Sequence, residues 1–219
     1  MANIEQINIL QRGVEEWNDW RIQNLAVRPD LSGSDLSGIS LQYVNFSSVN
    51  LTGTNLECSD LRNANLRRSC LDKANLHLAD LIEASLDDAS LQKACLQGTD
   101  LYRTGLSGVN FSGANLTQAI VRRANLANAN LDGIEGSEAD FLQANLMRAT
   151  FNQANLSKVN FEGSNLIEAH LDGADLTDAN LRKSNLCRAS LLKATITGAN
   201  FQNACLKGTI FPNGLETPA

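Results

Sequence analysis

The chain has 219 residues, a formal net charge of −6 and only 5% aromatic residues. The acidic balance argues against a nucleic-acid binder that neutralises phosphates, and the scarcity of rings argues against base-stacking platforms. Five cysteines, an odd number without close pairs, read as reduced thiols rather than a disulfide framework, and no apolar run approaches membrane-span length.

The start, Met1-Ala-Asn-Ile-Glu-Gln6, has neither a basic stretch nor a long apolar run, so a cytoplasmic location without membrane contact is expected. Within residues 1–30, Ile7, Leu10, Val14, Trp17 and Trp20 recur three or four apart, which predicts a helix stripe closed by Pro29. A solenoid must cover its open first coil, so this segment is expected to be an N-terminal helical cap, with Val14, Trp17 and Trp20 as its packing residues. The alternative is a docking or dimerisation helix.

From Leu31 to Phe211 a different period takes over. Every fifth residue is a large apolar side chain except Gly136; 27 of these 37 centres are Leu, and all seven Phe of the chain fall on the same register. A period of five fits neither a helix face nor an alternating strand, and it identifies a solenoid. The position two before each centre, 36 sites from Ser34 to Thr209, holds 21 Ala, with Ser, Thr, Val and Ile at the rest and no charge. Two positions in five therefore point inward and three are open to variation. Asn or Asp usually precedes the centre, and these residues form turns through side-chain bonds to nearby backbone. A turn every five residues implies four bends per square coil of about twenty residues, stacked at the strand spacing of roughly 4.8 Å. No single coil buries enough to stand alone, so stability is expected from stacked neighbours.

The units Ala64-Asn-Leu-Arg-Arg68, Ala124-Asn-Leu-Ala-Asn128 and Ala179-Asn-Leu-Arg-Lys183 resemble the pentapeptide repeat proteins, and the resemblance covers residues 31–211. It implies an all-β solenoid, a right-handed quadrilateral β-helix of about nine coils. It also implies a non-enzymatic protein-interaction scaffold or regulator, some relatives being regulators of cell differentiation. Other relatives mimic duplex DNA and protect DNA gyrase, which is the alternative role. Against that role, the repeat region carries 15 Lys or Arg beside 18 Asp or Glu, with basic blocks at Arg67-Arg68, Arg122-Arg123 and Arg182-Lys183. The leader Gly13-Val-Glu-Glu-Trp-Asn-Asp-Trp-Arg21 is similar to that of cyanobacterial members.

At Gly136 the register loses its large residue, while Ile134 replaces the usual Ala two positions earlier. The phase resumes at Phe141, which favours compensation by the Ile134 side chain over a local bulge. In the tail, residues 212–219, Pro212, Gly214 and Pro218 stop the repeat. Ile210, Phe211 and Leu215 are expected over the last coil; otherwise a sheet edge is exposed and the monomer can pair weakly end to end.

The pattern holds no catalytic, metal or cofactor constellation. His77 and His170 fall on different sides, the cysteines lack zinc spacing, and no Gly-rich phosphate loop occurs. Cys187 and Cys205 share a side in adjacent coils but are offset along the strand. Charge ladders are expected where Arg68 stacks on Asp88, and where Arg148, Glu168 and Arg188 share a column. Recognition is expected on the side centred on Leu41. There Arg62, Ile82, Tyr102, Arg122, Leu142 and Arg182 occupy one equivalent position, and Tyr43 lies on the same side. Tyr and Arg are favoured interface anchors, so this stripe is the candidate contact for a protein partner.

Overall fold

The computed structural model describes residues 2–215. Two short helices open the chain, α1 (Ile4–Gln11) and α2 (Val14–Gln23). Asn3 caps α1, its side-chain oxygen accepting from the backbone N–H of Glu5 and Gln6 at 3.0 and 3.4 Å. The single stripe from Ile7 to Trp20 is thus divided. Gly13, at a φ of 127°, breaks the helix in a conformation that side-chain-bearing residues rarely adopt.

The rest is a stack of square coils. Each bridge joins residues twenty apart, and each is parallel, from Asp30 with Asn50 to Ser190 with Ile210. The centre donates to the next coil, as Leu61 N–H does to the Asp80 carbonyl at 2.7 Å. The residue before the centre donates to the preceding coil, as Asn65 N–H does to Val44 at 2.9 Å. Between bridges the chain turns, with Ala64 N–H closing onto the Leu61 carbonyl at 3.0 Å.

The turn occupies the two residues after the centre, not the Asn or Asp before it. The second of these has a positive φ in every repeat from Gly33 to Gly208, at Arg68 (56°) and Lys93 (57°) as well as at glycines. Positive φ at that position alone is the type II pattern. Asn and Asp instead sit on the bridge, and their side chains hold the following turn. Asp60 Oδ1 accepts from Arg62 N–H at 3.2 Å, and Asn115 Oδ1 from Thr117 N–H at 3.0 Å. They also link coils, Asn75 Nδ2 donating to Asn55 Oδ1 at 3.1 Å and Asn55 Nδ2 to Asp35 at 3.0 Å. One residue type therefore serves both ladder and turn.

Both inward positions are buried through the body of the stack. Each enclosed Leu contributes roughly 1.5–3 kcal/mol. Inward hydroxyls are satisfied by backbone: Thr54 Oγ1 donates to the Leu31 carbonyl at 2.9 Å and Ser59 Oγ to Leu56 at 2.7 Å. Phe141 and Phe161 stack on one side with centroids 5.2 Å apart, and Phe151 meets them from across the interior at 6.0 and 5.7 Å. Compensation operates at Gly136. Ile134 is fully buried, and a Cβ at Gly136 would lie 3.1 Å from Ile134 Cδ1 and 3.2 Å from Leu156 Cδ2.

The helices supply hydrogen bonds that a preceding coil would have made. The register calls for residues of that missing coil to pair with Asn45, Ser47 and Asp30. Asn18 Oδ1 accepts from Asn45 N–H at 2.8 Å, and Trp17 Nε1 donates to the Asn45 carbonyl at 2.9 Å. Arg21 Nη2 donates to the Ser47 carbonyl at 2.8 Å. Gln6 Oε1 accepts from Asp30 N–H at 2.8 Å, and Asn3 N–H donates to the Asp30 carbonyl at 2.8 Å. Trp17 is fully buried, 5.5 Å from both Trp20 and Phe46 by ring centroids, while Val14 and Trp20 are half-buried against the core. One corner stays open: Ile39, at an inward position of the first coil, is 40% exposed.

At the other end, Ile196, Phe201, Leu206 and Phe211 are only half-buried. The chain folds back as Phe211 N–H donates to the Leu215 carbonyl at 2.8 Å, yet the Leu215 side chain remains 68% exposed. An open hollow of about 640 Å³ lies between Ile196, Phe211 and Leu215. Pro218 and the rest of the tail beyond 215 lie outside the described residues.

Candidate interaction surface

The four sides differ in what they present. Those centred on Leu31 and Leu36 carry mainly Ser, Thr, Asn, Gln and Gly. Those centred on Leu41 and Phe46 carry most of the repeat's cations and its large outward apolar groups.

On the Leu41 side the twenty-residue register assembles the predicted column. The carbonyls of Arg62, Ile82, Tyr102, Arg122, Leu142 and Arg182 each accept from the coil before, at 2.9–3.1 Å. Their side chains therefore emerge one above another at the interstrand spacing of about 4.8 Å. Glu162 belongs to the same column, between Leu142 and Arg182, so the stripe is interrupted by an acid. Tyr43 stands apart, one residue further along its turn. It is 65% exposed at a φ of 60°, and its carbonyl accepts from Asn18 Nδ2 of α2 at 3.0 Å.

Most of the column's charges are already paired. Arg62 grips Asp60 with two bonds, Nε to Oδ1 at 2.9 Å and Nη2 to Oδ2 at 2.6 Å, and lies 3.5 Å from Asp80. The bonds from the Arg62 guanidinium hold the Asp60 carboxyl well below its usual range, at about 2. Arg122 Nε donates to Asp140 at 2.5 Å. Arg103 lies over the Tyr102 ring, 5.1 Å from its centroid, and 3.4 Å from Glu83. Glu162 accepts from Lys183 Nζ at 3.0 Å, which lowers its carboxyl pKa. The Nε of Arg182 is buried without a hydrogen-bond partner among the described residues.

Between these pairs lie apolar seats. Ile82, Tyr102 and Leu142 are half-buried by their neighbours. Ile120, 36% exposed, occupies a bridge position whose neighbours above and below are Asp140 and Asp100. Counting only the residues after each centre misses it; sorting the bridge positions by twenties finds it. Tyr102, Ile120 and Leu142 thus surround Arg122. A second apolar column, Ala127, Met147 and Ile167, runs on the adjoining Phe46 side. The ladders there include Arg67 with Asp87 at 2.9 Å, Arg68 with Asp88 at 3.8 Å, and Glu168 between Arg148 at 2.7 Å and Arg188 at 3.5 Å.

Among the described residues, no group of three or more His, Cys, Asp or Glu is arranged to hold a metal ion, and no helix is long and apolar enough to cross a membrane. The arrangement offers a flat side on which ring, guanidinium and aliphatic groups alternate. Such a surface suits the binding of another macromolecule.

No curated protein matches the chain. Among solved structures, HetL is similar: a pentapeptide repeat protein from the cyanobacterium Nostoc involved in heterocyst differentiation regulation. It is 32% identical, with 90% of this chain and 97% of that one covered and a TM-score of 0.47. QnrB1, a plasmid-mediated fluoroquinolone resistance protein, shares 17% identity over 78% of this chain and 89% of its own, with a TM-score of 0.52; it shows the fold alone. Rfr23, a pentapeptide repeat protein from the cyanobacterium Cyanothece, is 23% identical over 88% of this chain and 91% of its own, with a TM-score of 0.23. Eight matches to the model of pentapeptide repeats run from residues 30–68 to residues 174–211. The chain belongs to the pentapeptide repeat family, and its solenoid is a right-handed quadrilateral β-helix.

Proposed function

We propose that this protein is a non-enzymatic, cytoplasmic regulator that works by binding a protein partner on the Leu41 side of its rod. The observation that carries this reading is the cluster of Tyr102, Ile120 and Leu142 around Arg122. Partly exposed aromatic and aliphatic groups beside a guanidinium are the make-up of interface centres. The similarity to HetL, which is involved in regulating differentiation, supports a regulatory role. Residues 1–30 act as the cap of the rod, residues 31–211 form one repeat unit, and the working state is a monomer or a weak end-to-end dimer.

The test is affinity capture from the native cell with three baits. Wild type and a control altered on the polar side, Ser157→Ala, are expected to retain the same partner. A bait carrying Tyr102→Ser and Arg122→Ser is expected to lose it. Equal recovery with all three would place the contact elsewhere. The gyrase-protecting alternative is tested by DNA supercoiling with purified protein. The outward basic blocks at Arg67-Arg68 and Arg122-Arg123 oppose a basic DNA-binding groove, so supercoiling is expected to be unaffected.

A further inference from the structure

The register brings one more pair of groups together, near the C-terminal end. A side chain just after one centre meets the side chain just before a centre of the next coil, eighteen residues on. Thr52 Oγ1 lies 3.2 Å from Cys70 Sγ in this way, and Asn75 Nδ2 donates to Glu57 at 3.1 Å. Cys187 and Cys205 occupy the same two positions, in the last two coils. Asn185 is bridged to Cys205, so Cys187 stands at the same offset of two residues that the side chains span in those pairs. Cys205 is exposed and Cys187 half-buried, so both are within reach of a small reagent. In the same pairing Cys70 meets Thr52, and Cys95 has His77 eighteen residues before it.

We propose that Cys187 and Cys205 form a reversible disulfide by exchange with a small disulfide of the glutathione class. The γ atoms of the equivalent Thr52 and Cys70 stand 3.2 Å apart. An S–S bond is about 2 Å long, so closure draws the two outward sulfurs nearer than these atoms and needs the Cα atoms within about 7 Å. The roles are unequal. The Cys187 thiol and the Lys207 backbone N–H donate to Cys205 and lower its pKa, while the same contact raises that of Cys187. Cys205 is also the more exposed of the two, and it is the attacking thiolate.

Its sulfur attacks one sulfur of glutathione disulfide, breaking that bond and releasing one glutathione thiolate. Cys187 then gives up its proton and attacks Cys205 Sγ, expelling the second glutathione thiolate. Two protein thiols are oxidised, one glutathione disulfide is reduced, and the two protons end on the two glutathiones. The link closes a loop of one coil just where Ile196, Phe201 and Leu206 are half-buried, and so restrains that end of the stack. Disulfides in reducing compartments are usually of this transient kind.

The experiment treats the full chain with oxidised glutathione under native conditions, alkylates what remains, and maps the peptides by mass spectrometry. Alkylatable thiols are expected to fall from five to three. A peptide linking Cys187 to Cys205 is expected, without retained glutathione and reversible by dithiothreitol. In Cys187→Ser, glutathione is expected to stay on Cys205, because the resolving thiol is gone. Stable glutathione on both cysteines of the wild type, links between chains, or five unchanged thiols would each overturn the proposal.

Discussion

Gly136 and Ile134 form a compensating pair, and a double-mutant cycle measures it. Replacing Gly136 by Leu restores the register but inserts a side chain where a Cβ alone would stand 3.1 Å from Ile134 Cδ1, 3.2 Å from Leu156 Cδ2 and 3.4 Å from the Asn155 carbonyl oxygen. The backbone at Gly136 carries no positive φ, so the cost is steric rather than conformational. Overpacking of this kind costs about 1–3 kcal/mol. Replacing Ile134 by Ala removes a fully buried side chain and leaves a cavity, at about 2–5 kcal/mol. Together the two changes recreate the ordinary Ala and Leu pairing seen at Ala129 and Leu131, with the new Leu filling the space that Ile134 vacates. The double variant is therefore expected to be less destabilised than the sum of the two single changes, with a coupling of about 0.5–3 kcal/mol between sites in contact. Urea unfolding followed by circular dichroism reads all four chains. A stabilising Gly136→Leu alone, or strictly additive effects, would show that Ile134 does not fill the gap.

Four further outcomes follow from the same contacts. Arg62→Ala is expected to return the Asp60 carboxyl from about 2 toward its ordinary value near 3.9, read by NMR titration of the side chain. Because the folded value is depressed, the pair's stabilisation is present above about pH 4 and fades as pH falls toward 2; an unchanged titration would remove Arg62 as the cause. Trp17→Ala is expected to cost about 3–5 kcal/mol in thermal unfolding, and Asn18→Ala to speed hydrogen exchange at the Asn45 amide, whose acceptor it removes. Thr54→Val keeps the shape but deletes the buried bond to the Leu31 carbonyl, with an expected loss of about 0.5–1.5 kcal/mol by chemical denaturation.

The solenoid was legible because Leu, Phe and Ala at the two inward positions are a steric requirement, repeated until no other period fits. Turn placement was harder to read. Asn and Asp favour turns in general, yet here the ladder takes their backbone and the turn takes only their side-chain oxygen, as Asp60 shows. The break at Gly13 was hidden for a related reason: apolar spacing continues across it from Leu10 to Val14, and periodicity does not register a change of axis. The placing of Tyr102 and Arg122 in one column followed from the twenty-residue coil. The pairing of Arg122 with Asp140 and the approach of Cys187 to Cys205 depend on side-chain reach across an offset of two residues, which a grid of positions does not contain.

The core and the surface count the chain differently. Inward positions repeat every five residues, whereas a surface column repeats every twenty. Removing five residues from the middle of the rod would keep every Leu in place while carrying each downstream column round one corner, so that Arg122 and Leu142 would face different directions. Removing twenty would shorten the rod and leave its faces aligned. Length changes by whole coils thus preserve recognition, and shorter ones rewrite it at little cost to folding.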